Sequence, residues 1–159
     1  MLAPDQEERM SDALSRGLGL GAPDQVAYVV ADLDAALPHY EALFGPFRVS
    51  EAALPDCEIR GERTSCKLKL AVNTSGPIEI ELIQPLEGDP PHAWHLREHG
   101  EGLHHVRFRT DALEETLERL GAAGYERIFY KRFGPAVAFA YMTAPKEIGG
   151  SIVELLEMP

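Results

Sequence analysis

Four polar residues spread along the chain carry donor atoms that suit a divalent cation: Gln25, Glu81, His105 and Glu154. Together they offer three oxygen ligands and one imidazole nitrogen. Hard oxygen donors with a single imidazole suit Zn²⁺, Mn²⁺, Co²⁺, Ni²⁺ or Fe²⁺ rather than an ion that prefers thiolates. The four residues can form one site only if the elements that carry them converge.

An internal repeat predicts that these elements do converge. The alternating strand that opens at Gln25 leads into an acidic helix start, and the same pattern returns at His105. The final strands also match, because 78–84 resembles 151–157 and places Glu81 at the position of Glu154. Repeated segments of this kind form equivalent structural units, so two units would contribute ligands to one centre.

Each copy of the repeat predicts a βαβββ module, which gives an α+β fold with a curved mixed sheet around a cavity. Residues 1–22 are predicted to be an N-terminal arm, with a helix over 5–14, and residues 23–159 a single domain. The modules cover about 24–85 and 102–158, and the linker 86–101 contains a short helix over 93–98. The predicted elements are strands at 25–31, 47–53, 65–73 and 77–84 around a helix from Asp32 or Asp34 to Phe44, then strands at 103–109, 127–131, 137–142 and 151–157 around a helix at 111–123.

Strand alternation predicts which side chains face the cavity. Successive side chains point to opposite faces of a strand, and the apolar face packs under the helices. Around His105, Val106 and Phe108 form the apolar face, so His105 projects from the other one. The same count places the other three candidate ligands away from the helices. Buried carboxylates are costly unless they are paired or bind a cation, so this convergence predicts a metal site.

Three segments make the chain similar to a known family: Glu79–Gly88, His99–Val106 and Gly149–Glu157. They resemble methylmalonyl-CoA epimerase and its glyoxalase-like relatives, members of the vicinal oxygen chelate superfamily, in which paired βαβββ modules surround a divalent metal. The resemblance covers nearly all of 24–157 and implies that the four candidate residues are the ligands. Epimerases typically have His and Gln at the first two ligand positions, whereas Gln25 and Glu81 resemble lactoylglutathione lyase.

The resemblance also implies a type of reaction. Such relatives remove a proton beside a carbonyl while the metal stabilises the resulting oxyanion. Glu154 is implied as ligand and general base, with Glu81 as its counterpart, and an epimerase needs an acid and a base on opposite faces of the carbon. Arg107 shares the cavity face and could hold a substrate carboxylate or phosphate. The alternative for Arg107 is an ion pair with Glu79 or another cavity acid.

Other histidines have less specific interpretations. His104 is expected on the strand face opposite His105, as a packed residue or one that supports the ligand rather than a fifth ligand. The segment from His95 to His99 matches the H-x-x-E-H order of inverzincin zinc proteases. Its helix is predicted to be only about two turns long, and nothing downstream indicates a protease. A polar lid or loop helix near the pocket is therefore the favoured interpretation.

Composition limits the other functional classes. The chain has 159 residues, 45% of them hydrophobic, and a formal net charge of −11, so nucleic acid and anionic membranes are poor partners. No membrane span or signal peptide is predicted, and we expect a cytoplasmic protein that forms a homodimer. Cys57 and Cys66 lack metal-motif spacing and are expected to be reduced.

Together with the predicted metal site, the resemblance implies a metal-dependent epimerase, isomerase or lyase with one divalent ion and a small, anionic acyl-CoA, thioester or hemithioacetal substrate. One alternative is a non-catalytic binding protein of the same fold, of the antibiotic-resistance type, which would not need the full ligand set. Another is an extradiol dioxygenase. Those relatives usually have two histidines and one carboxylate, and His105 is the only histidine among the four candidates.

Overall fold

The computed structural model describes residues 3–6 and 17–159. The helix predicted over 5–14 lies almost entirely outside these residues, although 4–6 are helical. Leu18 and Leu20, near the end of the predicted arm, pack against an apolar cluster of the second half of the chain. The boundary of the arm at residue 22 therefore stays a prediction.

Two successive βαβββ modules are joined by a short helix. The elements are β1 (Gln25–Val29), α1 (Leu33–Phe44), β2 (Arg48–Ile59), β3 (Glu62–Asn73) and β4 (Glu79–Glu87), then the connecting α2 (Pro91–His99), then β5 (Gly102–Thr110), α3 (Leu113–Ala122), β6 (Glu126–Arg132), β7 (Ala138–Thr143), a 3₁₀ turn (Lys146–Ile148) and β8 (Ile152–Glu157).

The eight strands form one closed barrel in the order β1-β4-β3-β2-β6-β7-β8-β5. In each module the first strand pairs in parallel with the last, β1 with β4 and β5 with β8. The modules meet along β1–β5 and, over only two residue pairs, along β2–β6. The predicted α+β fold of two βαβββ modules is confirmed, and the curved mixed sheet closes on itself.

Helix α1 covers the outside of the first module. Asp32 caps its N-terminus by accepting a hydrogen bond from the backbone N–H of Ala35 at 3.1 Å, and the helix ends at Gly45, whose φ is +88°. The helix continues through Pro38 despite the lost amide donor. Leu33 is fully buried in a cluster under the helix. This packing uses the outer face of the sheet.

Helix α3 covers the outside of the second module in the same way. Leu113, Leu117 and Leu120 pack against Ala140 and Leu155 on β7 and β8. Because α1 and α3 take the outer faces, the alternate side chains of the strands point into the barrel. Across residues 3–6 and 17–159, no helix combines the length and the apolar character needed to cross a membrane.

The hairpin of the first module is longer than the sequence suggested. Strands predicted over 47–53 and 65–73 run over 48–59 and 62–73. Pro55 and Asp56 follow the predicted end of the first of these strands, but they lie in a β-bulge, where the register with β3 shifts between Leu54 and Cys57 and Asp56 has a φ of +52°. A bulge accepts a residue that has no amide donor without ending the strand.

A second proline is accommodated in β4. This strand was predicted to end at Gln84, but it continues to Glu87 and includes Pro85. Pro85 lies opposite Leu68, next to a register shift in the pairing with β3. The predicted linker 86–101 therefore consists largely of the end of β4 and of helix α2.

Candidate metal centre and active site

The four predicted ligands lie together inside the barrel, where the two modules meet. Nε2 of His105 lies 2.8 Å from Oε2 of Glu154, 4.0 Å from Oε2 of Glu81 and 3.1 Å from Oε1 of Gln25. The ligand atoms of the two glutamates and the histidine all lie within 4.8 Å of one another. Gln25 and His105 are each only 1% exposed. The structure thus brings together all four side chains.

Strand register explains this convergence. In the barrel, β1 lies between β4 and β5, and β5 lies between β1 and β8. Ala27 on β1 lies opposite Glu81 on β4 and also opposite His105 on β5. Glu154 on β8 lies opposite Arg107, two residues after His105. Side chains two apart share a face, so these polar groups point to the same interior space.

The orientation of the Gln25 amide is set by Glu79. Nε2 of Gln25 donates a hydrogen bond to Oε1 of Glu79 at 2.6 Å, and the same oxygen accepts from Nη1 of Arg107 at 3.3 Å. A carboxylate paired with a guanidinium can only accept, so the amide must turn its NH₂ group to Glu79. Its Oε1 therefore faces His105 and the carboxylates.

Arg107 lies at the cavity wall with its donors engaged by acids. Nε donates to Oδ1 of Asp24 at 2.9 Å and Nη2 donates to Oδ2 at 3.1 Å, while Nη1 donates to Glu79. Arg109 also donates to Asp24, at 2.8 Å. Burial alone would raise the pKa of Asp24, but the hydrogen bonds and charges of the two arginines outweigh this effect and hold the pKa below its ordinary value. This arrangement matches the ion-pair alternative for Arg107, and a substrate contact stays a prediction.

The two interior carboxyl groups resist ionisation. Burial raises the pKa of Glu81 to about 8, with a further increase from the charge of Glu154. Burial also raises the pKa of Glu154 to about 8, against the opposing effect of Arg107. Two carboxylates in one desolvated site cannot both ionise without a compensating cation. The pair therefore suits either a shared proton or a metal ion.

His105 is neutral and is supported from behind by His104. Burial, with a smaller effect from Arg107, lowers the pKa of His105 to about 3. Nδ1 of His105 lies 2.9 Å from Nδ1 of His104, so one nitrogen donates to the other. The prediction that His104 lies on the opposite face is wrong. The register of β1 with β5 skips His104 between Leu103 and His105, and this bulge turns both imidazoles inward.

Sequence reasoning missed two residues behind the site. The Tyr141 ring lies 4.7 Å from that of His105, and its hydroxyl lies 3.0 Å from Nε2 of His92. The His92 ring, on α2, stacks on that of His104 at 4.5 Å. One nitrogen from each of these three histidines lies within 4.8 Å of the others, so they form a second group of metal-type donors. Tyr141 points into the barrel from β7, so strand alternation could have identified it. His92 lies just before the helix predicted over 93–98, so no sequence pattern pointed to it.

A family model described as the glyoxalase/bleomycin resistance protein/dioxygenase superfamily matches residues 24–141. The matched region includes Gln25, Glu81 and His105. The chain belongs to this superfamily, also called the vicinal oxygen chelate superfamily. The match ends before Glu154, which the structure nevertheless places beside His105.

One relative of this chain is an uncharacterised protein, YqjC, from Bacillus subtilis, which is 35% identical over 97 residues. The match covers 57% of this chain and 66% of YqjC, slightly under two thirds of that protein. Methylmalonyl-CoA epimerase from Mycobacterium tuberculosis is 26% identical, with a TM-score of 0.59 over 88% of this chain and 89% of that one. A variant of Streptomyces coelicolor methylmalonyl-CoA epimerase in complex with 2-nitronate-propionyl-CoA is 25% identical, with a TM-score of 0.57 over 88% and 99%.

The donor set of this vicinal oxygen chelate protein fits a divalent cation. Ligand atoms about 2.1 Å from one ion lie about 3.0 Å apart at right angles and about 4.2 Å apart across it. The three distances from His105 Nε2, between 2.8 and 4.0 Å, fall in or close to this range. A cation would stabilise this site, because it can bind the neutral imidazole and compensate the repulsion between the two carboxylates.

Proposed function

We propose that this protein is a metal-dependent enzyme that removes a proton beside a carbonyl. Its substrate would be a small acyl-CoA, thioester or hemithioacetal, and the reaction an epimerisation, isomerisation or lyase step. The observation that carries this proposal is the convergence of two interior carboxyl groups, from half-buried Glu81 and buried Glu154, on the neutral imidazole of His105. With Oε1 of Gln25, these groups would hold one divalent ion.

Each carboxyl group has a distinct place in the reaction. A bound divalent ion supplies Lewis-acid stabilisation of negative charge on the substrate oxygen. Glu154 is the proposed base, because its carboxyl group lies beside His105 and lines the interior cavity that would receive the reacting carbon. Glu81 comes from the other module and is the proposed partner acid. Epimerisation requires two such groups on opposite sides of the reacting carbon.

Metal content and proton exchange test this proposal together. Purified protein supplemented with Co²⁺, Mn²⁺, Ni²⁺ or Zn²⁺ should retain about one ion per chain, as expected for one four-donor site. It should also exchange the α-proton of at least one substrate among methylmalonyl-CoA, hemithioacetals and related acids in deuterated water. A protein that neither retains an ion nor exchanges any proton would contradict the proposal. That outcome would favour the non-catalytic binding protein, which would not need the full ligand set.

The hydrogen bond from Gln25 to Glu79 predicts an effect on metal affinity. Glu79→Ala should weaken binding of Co²⁺ or Zn²⁺ about 10- to 100-fold, the usual cost of losing a group that orients a ligand. Without Glu79 the amide of Gln25 can rotate and present its NH₂ group to the cation. Isothermal titration of the metal measures the change directly.

Glu87→Ala is the matched control, because Glu87 lies at the exposed end of the same strand. It should leave metal affinity unchanged. Circular dichroism of both variants shows whether the fold is intact, since Arg107 also loses one partner when Glu79 is removed. Equal metal affinities for Glu79→Ala, Glu87→Ala and the unmodified protein would exclude a role for Glu79 in orienting Gln25.

A further inference from the structure

A cavity of about 200 Å³ lies next to the candidate metal centre inside the barrel. One wall is polar and contains the candidate ligands Gln25, Glu81 and Glu154. The remaining wall is hydrocarbon and comes from five different strands: Leu54, Leu68, Leu70, Ile83, Phe129 and Phe139. A substrate whose carbonyl lies at the polar wall must therefore place its substituent against these apolar side chains.

Apart from the divalent ion that the candidate ligands would hold, the residues that line the cavity offer no free positive charge to a substrate anion. Of the residues that line it, Arg107 alone is cationic. All three of its guanidinium nitrogens already donate to Asp24 or Glu79, and the residue is only 8% exposed. Moving Arg107 to a substrate carboxylate would leave partly buried Glu79 without a cationic partner and Asp24 with Arg109 alone, which is unfavourable.

The apolar wall also disfavours an anionic substituent, because aliphatic and aromatic side chains do not solvate a charge. A hydrocarbon substituent, in contrast, exchanges water for close apolar contacts on that wall.

The volume of the cavity limits the size of the substituent. A cavity of about 150 Å³ lined by similar side chains is large enough to bind benzene. The present cavity therefore accommodates one six-membered ring, or a branched alkyl group, together with the reacting carbonyl. Phe133 lines the cavity and is also 54% exposed, which places the opening at this residue. A long or charged carrier, such as the tail of an acyl-CoA, would remain outside.

We propose that the part of the substrate held inside the barrel is an uncharged aromatic or branched hydrocarbon group next to the reacting carbonyl. The cavity selects this group over a carboxylate-bearing, malonyl-type group. The description of the ligand as a substrate rests on the proposed function, but the preference of the cavity does not. It is a binding property that can be measured in the absence of turnover.

A matched pair of probes tests the preference. Benzohydroxamate and 4-carboxybenzohydroxamate differ by one carboxylate, and both present two neighbouring oxygens that can chelate a metal. Isothermal titration with and without added Co²⁺ should show benzohydroxamate binding at least about tenfold more tightly, a difference of about 1.4 kcal/mol. Equal or tighter binding of the carboxylated probe would overturn the proposal. Absence of saturable benzohydroxamate binding under both conditions would also overturn it.

A pair of neighbouring variants locates the effect in the cavity. Ala52 lines the cavity, whereas Ala53 follows it on β2 and is exposed. Ala52→Arg places a cation at the apolar wall and should raise affinity for 4-carboxybenzohydroxamate at least about tenfold, while Ala53→Arg should change neither probe. Identical effects of the two variants would contradict the assignment to this cavity. Loss of α-proton exchange with every substrate bears on the proposed function alone, because probe binding is measured separately.

Discussion

Glu154→Gln is expected to lower α-proton exchange about 10²- to 10⁴-fold, the range that a positioned general base contributes. Glutamine keeps the shape of the side chain but cannot accept the proton. Glu154 is singled out because its Oε2 lies 2.8 Å from the candidate ligand nitrogen of His105 and its side chain lines the interior cavity. Exchange in deuterated water, followed by NMR or mass spectrometry, measures the proton-transfer step independently of product formation.

Two further variants serve as a control and as a comparison for Glu154→Gln. Glu147→Gln changes an exposed carboxylate outside the barrel and should leave exchange unchanged. Glu81→Gln should slow epimerisation more than exchange if Glu81 supplies the second face of the carbon. Metal content is measured for every variant. Full exchange by a Glu154→Gln protein that still holds its ion would remove Glu154 as the base.

The sequence was most informative where the structural signal was local. Strand alternation depends only on neighbouring residues, and it predicted that Glu81, His105 and Glu154 would face away from the helices. The repeat then showed that β4 corresponds to β8 and β1 to β5. Four candidate ligands could therefore be assigned to one site without knowledge of any contact, although the first and last, Gln25 and Glu154, are 129 positions apart in the sequence. These features fix both the fold and the four candidate positions.

Features that depend on irregular backbone or on barrel closure were not predictable. Alternation placed His104 outside, and only the bulge in β5 turns it towards His105. The strands predicted to end at Ala53 and Gln84 continue through Pro55 and Pro85, because the register shifts that accommodate these prolines depend on pairing with the partner strand. The partners of Arg107 illustrate the second case, since Asp24 reaches it only when β1 and β5 close the barrel.

The carboxyl pair predicts that the metal-free protein loses stability as pH rises above 7. The unfolded chain releases the protons of Glu81 and Glu154 near pH 4.5, whereas burial raises the folded pKa values to about 8. The folded state therefore binds more protons in this interval, and its free energy of unfolding falls with pH. Burial has the opposite effect on His92, His104 and His105, whose lowered pKa values add stability up to about pH 6.5. The two effects overlap below pH 7, so the carboxyl effect is measured above it, where the raised pKa of the buried Cys66 thiol adds only a smaller loss near pH 9.

Urea unfolding at pH 7.0 and 8.5 is expected to show a loss of about 1 to 2 kcal/mol for the protein in EDTA. Bound Co²⁺ or Zn²⁺ should reverse the trend, because the ion binds the deprotonated carboxylates and competes less with protons as pH rises. The double variant Glu81→Gln/Glu154→Gln lacks both groups and should give a flat profile in this window, with or without metal. The same slope in the double variant would mean that other groups titrate there. Parallel profiles with and without metal in the unmodified protein would show that the ion does not bind these carboxylates, since a cation held elsewhere could not change their proton affinity so strongly.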